Sequence, residues 1–156
     1  MAKSTLVTAI DANSATFVAS SSTGKSTTFL GSANAVTYTA YATYTTSGSE
    51  GAGTDIEMFA IPDDAHVMEM RVTSTALGSG ATLQVGDSGD NDRFIDATSH
   101  ASAASTTMSA TNPQSIGYKF TSATDIVVRT AGATLAGSQT INLYASFIMP
   151  GNIRPK

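Results

Sequence analysis

The stretch Val85 to Ile95 reads VGDSGDNDRFI and gathers Asp87, Asp90 and Asp92 around one serine and two glycines. Carboxylates this close together suggest three chemistries. Hard oxygen ligands on one tight loop suit a calcium ion. A serine flanked by Gly and Asp could be a nucleophile, given a base and an oxyanion hole. Asp beside Gly is also the vocabulary of a β-hairpin turn, because the Asp side chain accepts hydrogen bonds from backbone N–H groups two residues on.

Spacing separates these readings. An EF-hand loop needs D-x-[DN]-x-[DN]-G with a Glu at its twelfth position, and from either Asp87 or Asp90 neither the glycine nor the Glu falls in place. Asp87, Asp90 and Asp92 are left as a candidate cation loop outside that pattern, with Asp96 close behind. Gly86-Asp87-Ser88-Gly89 spells the GDSG string found around the nucleophile of chymotrypsin-like proteases, but that mechanism needs a His held by an Asp. The only histidines are His66 and His100, and 156 residues are too few for two barrels. The turn reading requires nothing else, and Arg93 stands ready to pair with one carboxylate.

Other chemistry-bearing residues are isolated. Thr23-Gly24-Lys25-Ser26-Thr27 resembles the end of a phosphate-binding loop, but Ala19 stands where that motif needs Gly, and no strand-to-helix pattern surrounds it. His66 lies beside Asp64 at the start of a strand, and His100 lies in a Ser/Ala stretch. Met58, Met68 and Met70 follow strand spacing and read as core filler. Tyr38, Tyr41 and Tyr44 could stack a sugar, yet Tyr38 and Tyr44 fall on one strand face and Tyr41 on the other. No catalytic set and no cofactor are expected.

Composition narrows the function classes. The length suits one domain with a real core. Charged residues make up 13% of the chain, against about 25% in an average soluble domain, and Ser, Thr, Ala and Gly fill the difference. A net charge of −4 and a pI near 4.8 provide no basic stripe for phosphates, so nucleic acid is not an expected partner. The absence of cysteine removes disulfides and thiolate metal sites. Apolar runs fall short of the roughly 20 residues a membrane span needs, and MAKSTLVTAI lacks an apolar stretch of signal-peptide length. A soluble protein made without Sec export is expected, with no membrane partner.

The elements that must position these residues are strands. NAVTYTAYATYTT places Val36, Tyr38, Ala40, Ala42 and Tyr44 on one face and Thr37, Thr39, Tyr41, Thr43 and Thr45 on the other. SGSEGAG, residues 47–53, reads as a flexible connection. DIEMFAIP is a strand stopped by Pro62, and PDDA is a turn. HVMEMRVTS is a strand with His66, Met68, Met70 and Val72 inward and Glu69 and Arg71 outward. ATLQV is the next strand, and GDSGDND turns the chain before RFI. Residues 97–114 read as a long small-residue loop. SIGYKF, DIVVRT and QTINLYASFIM are strands, the last central because Ile141, Leu143, Ala145, Phe147 and Met149 share a face.

No window carries a helical apolar period, so the expected fold is an all-β antiparallel sandwich, jelly-roll-like, with little helix. It spans residues 31–149 and is followed by a tail, 150–156. Residues 1–30 are either an N-terminal arm or edge strands. As an arm, their interface candidates are Leu6, Val7, Ile10, Phe17, Val18, Phe29 and Leu30, because ordering an arm at about 1–2 kcal/mol per residue requires apolar burial or strand pairing on a neighbour.

The block from Ile61 to Ala97 resembles small virion proteins of tailed bacteriophages. The residues that carry the likeness are Ile61-Pro62, the strand Ala81 to Asp87 ending in Val-Gly-Asp, and the return Asp92-Arg93-Phe94-Ile95. The resemblance implies a head decoration or cement protein. Such a protein is a homotrimer in the virion, assembled in the host cytoplasm, that binds the major capsid protein from outside. The alternative from another class is a carbohydrate- or receptor-binding module of a tail or adhesin. That would need an exposed aromatic cluster with polar partners or a filled cation site.

Overall fold

Val, Ile, Thr and Tyr at alternating positions suit a pleated surface buried on one side, and strands form where that alternation runs. The computed structural model describes residues 36–149, together with the backbone of two short strands, β1 (Val18–Ser20) and β2 (Ser26–Thr28). Eight further strands follow: β3 (Val36–Thr45), β4 (Asp55–Ile61), β5 (His66–Ser74), β6 (Ala81–Asp87), β7 (Asp90–Ser99), β8 (Ala104–Thr107), β9 (Thr124–Gly132) and β10 (Thr140–Met149). One helical turn, α1 (Met108–Thr111), and a 3-10 turn, Pro113–Ser115, sit between β8 and β9. Among the described residues, no helix is long and apolar enough to cross a membrane.

The strands make two antiparallel four-stranded sheets, ordered β3-β10-β5-β8 and β4-β9-β6-β7, so the fold is the expected all-β sandwich. The pairing is nested: β3 lies against β10, β4 against β9, β5 against β8 and β6 against β7. The two halves of the chain therefore form one long hairpin, bent at the β6–β7 turn and divided between two sheets. β10 is central, as expected, and its Ile141, Leu143, Ala145 and Phe147 face a core shared with Met70, Leu83, Phe94 and Ile126. Each Leu, Ile, Phe or Met among them contributes roughly 1.5–3 kcal/mol when fully buried. β1 and β2 pair with each other and join neither sheet.

Several local expectations are corrected. In β5 the inward set is Val67, Met70, Val72 and Ser74, whereas His66 and Met68 are only half-buried. The register opposite β10 jumps from Glu69 to Val67, so Met68 is the extra residue of a bulge, and one extra residue reverses the phase of a period-two pattern. Residues 97–114 are not a long loop. They finish β7, add the edge strand β8 and close with α1, burying His100 and Met108 completely. SIGYKF is not a strand: it contributes a single bridge, Lys119 to His66, after the 3-10 turn. Residues 47–53 form the expected connection between β3 and β4, and the Glu50 carboxylate ties its start to the end of β3. It accepts from the Ser47 N–H at 2.8 Å, the Ser47 hydroxyl at 2.8 Å, the Gly48 N–H at 3.0 Å and the Tyr44 hydroxyl at 2.7 Å.

Candidate functional site

The aspartate cluster resolves into a turn narrower than its sequence implies. β6 ends at Asp87 and β7 begins at Asp90, so only Ser88 and Gly89 turn the chain, and Asp92 belongs to a strand. Asp87 is 5% exposed, and both its oxygens are engaged. Oδ1 accepts from the Gly89 N–H at 2.8 Å and the Asp90 N–H at 3.0 Å, while Oδ2 accepts from Arg93 Nε at 2.7 Å. The Arg93 guanidinium lies 4.6 Å from the centroid of the Tyr118 ring.

Asp90 and Asp92 project along one exposed strand edge. A hydrogen bond to Asp90, then burial, then the charges of Asp90 and Asp96 push the Asp92 carboxyl above its ordinary value. Among the described residues, no three acidic or histidine side chains converge closely enough to hold a metal ion.

The histidines do not make a reactive centre. His100 Nδ1 is 2.7 Å from the Ser74 hydroxyl, a distance that would suit a nucleophile and its base. Both residues, however, lie in the core, and the other ring nitrogen faces the Thr106 hydroxyl at 3.4 Å. Burial lowers the His100 pKa and favours the neutral ring. The pair satisfies buried polar atoms where β7 leaves its sheet. Asp64 pairs with Lys119 at 2.7 Å rather than with His66. The segment Thr23 to Thr27 lies mostly outside the described residues, with only the backbone of Ser26 and Thr27 placed in β2.

What the fold does assemble at its surface is a row of side chains across the outer face of the first sheet. Register sets Tyr41 opposite Tyr144, Tyr144 opposite Arg71, and Arg71 opposite Thr107. The two tyrosine rings are 4.7 Å apart, and the Arg71 guanidinium lies 4.6 Å over Tyr144. Tyr41 donates its hydroxyl proton to Asn142 Oδ1 at 3.0 Å, and Thr43 donates to the same oxygen at 2.9 Å. Beside this row is an open hollow of about 310 Å³ lined by Thr39, Glu69, Arg71, Thr107, Tyr144 and Ser146.

On the other sheet a groove of about 620 Å³ runs past Asp55, Glu57, Ser88, Ser122 and Asp125. There Asp55 is already paired with Arg129 at 2.6 Å and 2.9 Å. Neither concavity is lined by a histidine.

The sequence reading separates Tyr41 from Tyr38 and Tyr44, and the structure agrees. Tyr38 stacks on Phe147 with centroids 5.7 Å apart, while Tyr44 reaches Glu50. Tyr144 and Arg71 were missed as Tyr41's neighbours, because they arrive on other strands and only register brings them together. Of the N-terminal interface candidates, Leu6, Val7, Ile10, Phe17, Phe29 and Leu30 lie outside the described residues. Val18 is in β1, opposite Thr28.

No protein-family model matches the chain, and no curated protein matches it. Solved structures do. A chain of the cyanophage Pam1 capsid asymmetric unit aligns with a TM-score of 0.61 at 20% identity, covering 85% of this chain and 99% of its own. A chain from the capsid of Ralstonia phage GP4 aligns with a TM-score of 0.59 at 20% identity, over 75% and 86% of the two chains. One from the acidic stable capsid structure of Helicobacter pylori bacteriophage KHP30 gives 0.50 at 16% identity, over 74% and 90%. At these identities the likeness is one of fold: this sandwich has the fold of chains found in phage capsids.

Proposed function

We propose that the protein is a non-enzymatic structural component of a phage virion that binds the outer surface of the capsid and stabilises it, as decoration or cement proteins do. The observation that carries this reading is the fold likeness to a chain of a capsid asymmetric unit, 99% of which is matched. The Ile61 to Ala97 pattern supports it independently. The nested strand pairing is part of that same fold likeness, and jelly-roll sandwiches occur in viral capsid and lectin domains alike.

In this reading the partners are the major capsid protein and further copies of the chain. A trimer would present equal footprints to local threefold positions of a shell. Residues 1–30, through Leu6, Val7, Ile10, Phe17, Val18, Phe29 and Leu30, act as the contact arm, with 150–156 as a second extension. The test is to add the purified protein to capsids lacking it. Co-sedimentation at a fixed copy number, with a raised capsid disruption temperature, is the expected result. Absence of binding to intact shells would refute the reading.

One observation favours the carbohydrate- or receptor-binding alternative: the Tyr41–Tyr144 pair, with Asn142, Thr43 and Arg71 around it, is an aromatic cluster with polar partners. Saccharide binding that is lost in Tyr41→Ala, without any capsid binding, would move the assignment there.

A further inference from the structure

Sheet edges carry unpaired backbone donors and acceptors, and soluble proteins protect them with bulges, charges, proline or brevity. Three of the four sandwich edges are protected in this way. β8 has only four residues. β4 is bulged between Glu57 and Phe59 and bears Asp55 and Glu57. β7 is irregular against β6 and carries Asp90, Asp92 and Asp96.

β3 has none of these devices. It is ten residues long, pairs with β10 without a register break, and contains neither charge nor proline. Among the described residues, no strand pairs with its other side. Two of the exposed large apolar side chains also lie on it, Tyr38 at 47% and Tyr41 at 56% exposure.

Its sequence indicates what fits there. Residues 37–45 read TYTAYATYT, the same in both directions, with Tyr41 at the centre. An antiparallel pair of two such strands centred on Tyr41 sets Thr37 opposite Thr45, Tyr38 opposite Tyr44, Thr39 opposite Thr43, Ala40 opposite Ala42, and Tyr41 opposite itself. Every residue then meets its own kind. Thr–Thr and aromatic–aromatic pairs are favourable cross-strand neighbours, and no charge opposes another.

A twofold axis through Tyr41 is the isologous arrangement that such self-complementarity permits. It keeps the two outer faces on one side, so the sheets of both molecules become continuous. We infer that the β3 edge is an interaction surface for a second copy of this chain, joined strand to strand in that register. The contact is additional to any threefold assembly and does not depend on the capsid reading.

The chain has no cysteine, so single cysteines report the register directly. In the full-length protein, Tyr41→Cys is expected to link to itself through a short bis-maleimide. Thr37→Cys and Thr45→Cys are expected to link only when mixed, and that mixture leaves Tyr41 intact. Tyr41→Lys should halve the mass of the assembly in sedimentation, and mixing it with Tyr41→Glu should restore that mass, with circular dichroism confirming that each variant is folded. The inference is overturned if Thr37→Cys links to itself as readily as Tyr41→Cys, if neither Tyr41→Cys nor the mixture links, or if folded Tyr41→Lys sediments as the parent does.

Discussion

Glu50 is 4% exposed, and burial by itself would raise its pKa. Hydrogen bonds from the Tyr44 hydroxyl and from the Ser47 backbone and side chain outweigh that effect and hold it at about 2, below the ordinary 4.5. The folded-state pKa is depressed, so the ionised group stabilises the fold fully above about pH 4.5, and this stabilisation disappears as pH falls towards 2. Glu50→Gln is expected to lower stability at neutral pH by about 1–3 kcal/mol and to flatten the fall in Tm over that acid range, measured by thermal melts across pH.

Asp87 makes a second prediction at this scale. Its oxygens are occupied by two backbone N–H groups and Arg93, so EDTA and added calcium are both expected to leave Tm unchanged. Asp87→Asn should lower stability by about 1–3 kcal/mol through loss of the charge-assisted bond to Arg93. A melt that drops in EDTA and recovers with calcium would revive the cation reading.

At the scale of elements, the β6–β7 hairpin is the bend of the long folded hairpin, and its tightness depends on Gly86. A Cβ there would strike the Asp90 carbonyl oxygen and the Asn91 backbone, neither of which can swing aside as a flexible side chain would. Gly86→Ala is expected to cost about 1–3 kcal/mol. Gly51→Ala, which meets only the Thr134 hydroxyl at 4.0 Å, serves as the near-neutral control. Denaturant unfolding of the two variants measures the difference. The hairpin's existence was legible from Gly and Asp between two apolar runs. Its two-residue length was not, because Asp90, Asn91 and Asp92 look like turn residues, and only the pairing of Asp87 with Asp90 starts the return strand directly after Gly89.

At the scale of the molecule, all eight strands of the two sheets lie within residues 36–149, and β1 and β2 join neither sheet. Deleting residues 1–30 is therefore expected to leave a folded sandwich, with the β-type circular dichroism and cooperative melt of the full chain. An insoluble or unfolded product would instead mean that the segment completes the core. If the segment is the capsid-contact arm, the same deletion removes capsid binding while leaving the melt in place.

Strand content, the absence of a helical period, the central place of β10 and the presence of a hairpin turn within Gly86 to Asp92 were all determined by the sequence. Side-chain alternation and turn chemistry are local, and each is written within a few adjacent residues. Tertiary structure decided the nesting of the strands, the Met68 bulge that turns Val67 inward, the burial of His100 and Met108 from a segment of small residues, and the row Tyr41–Tyr144–Arg71. A period of two identifies which residues share a face but not which strand lies alongside. That choice depends on free energy gained jointly by distant segments, and a one-residue bulge in one strand is enough to invert the faces a local pattern predicts.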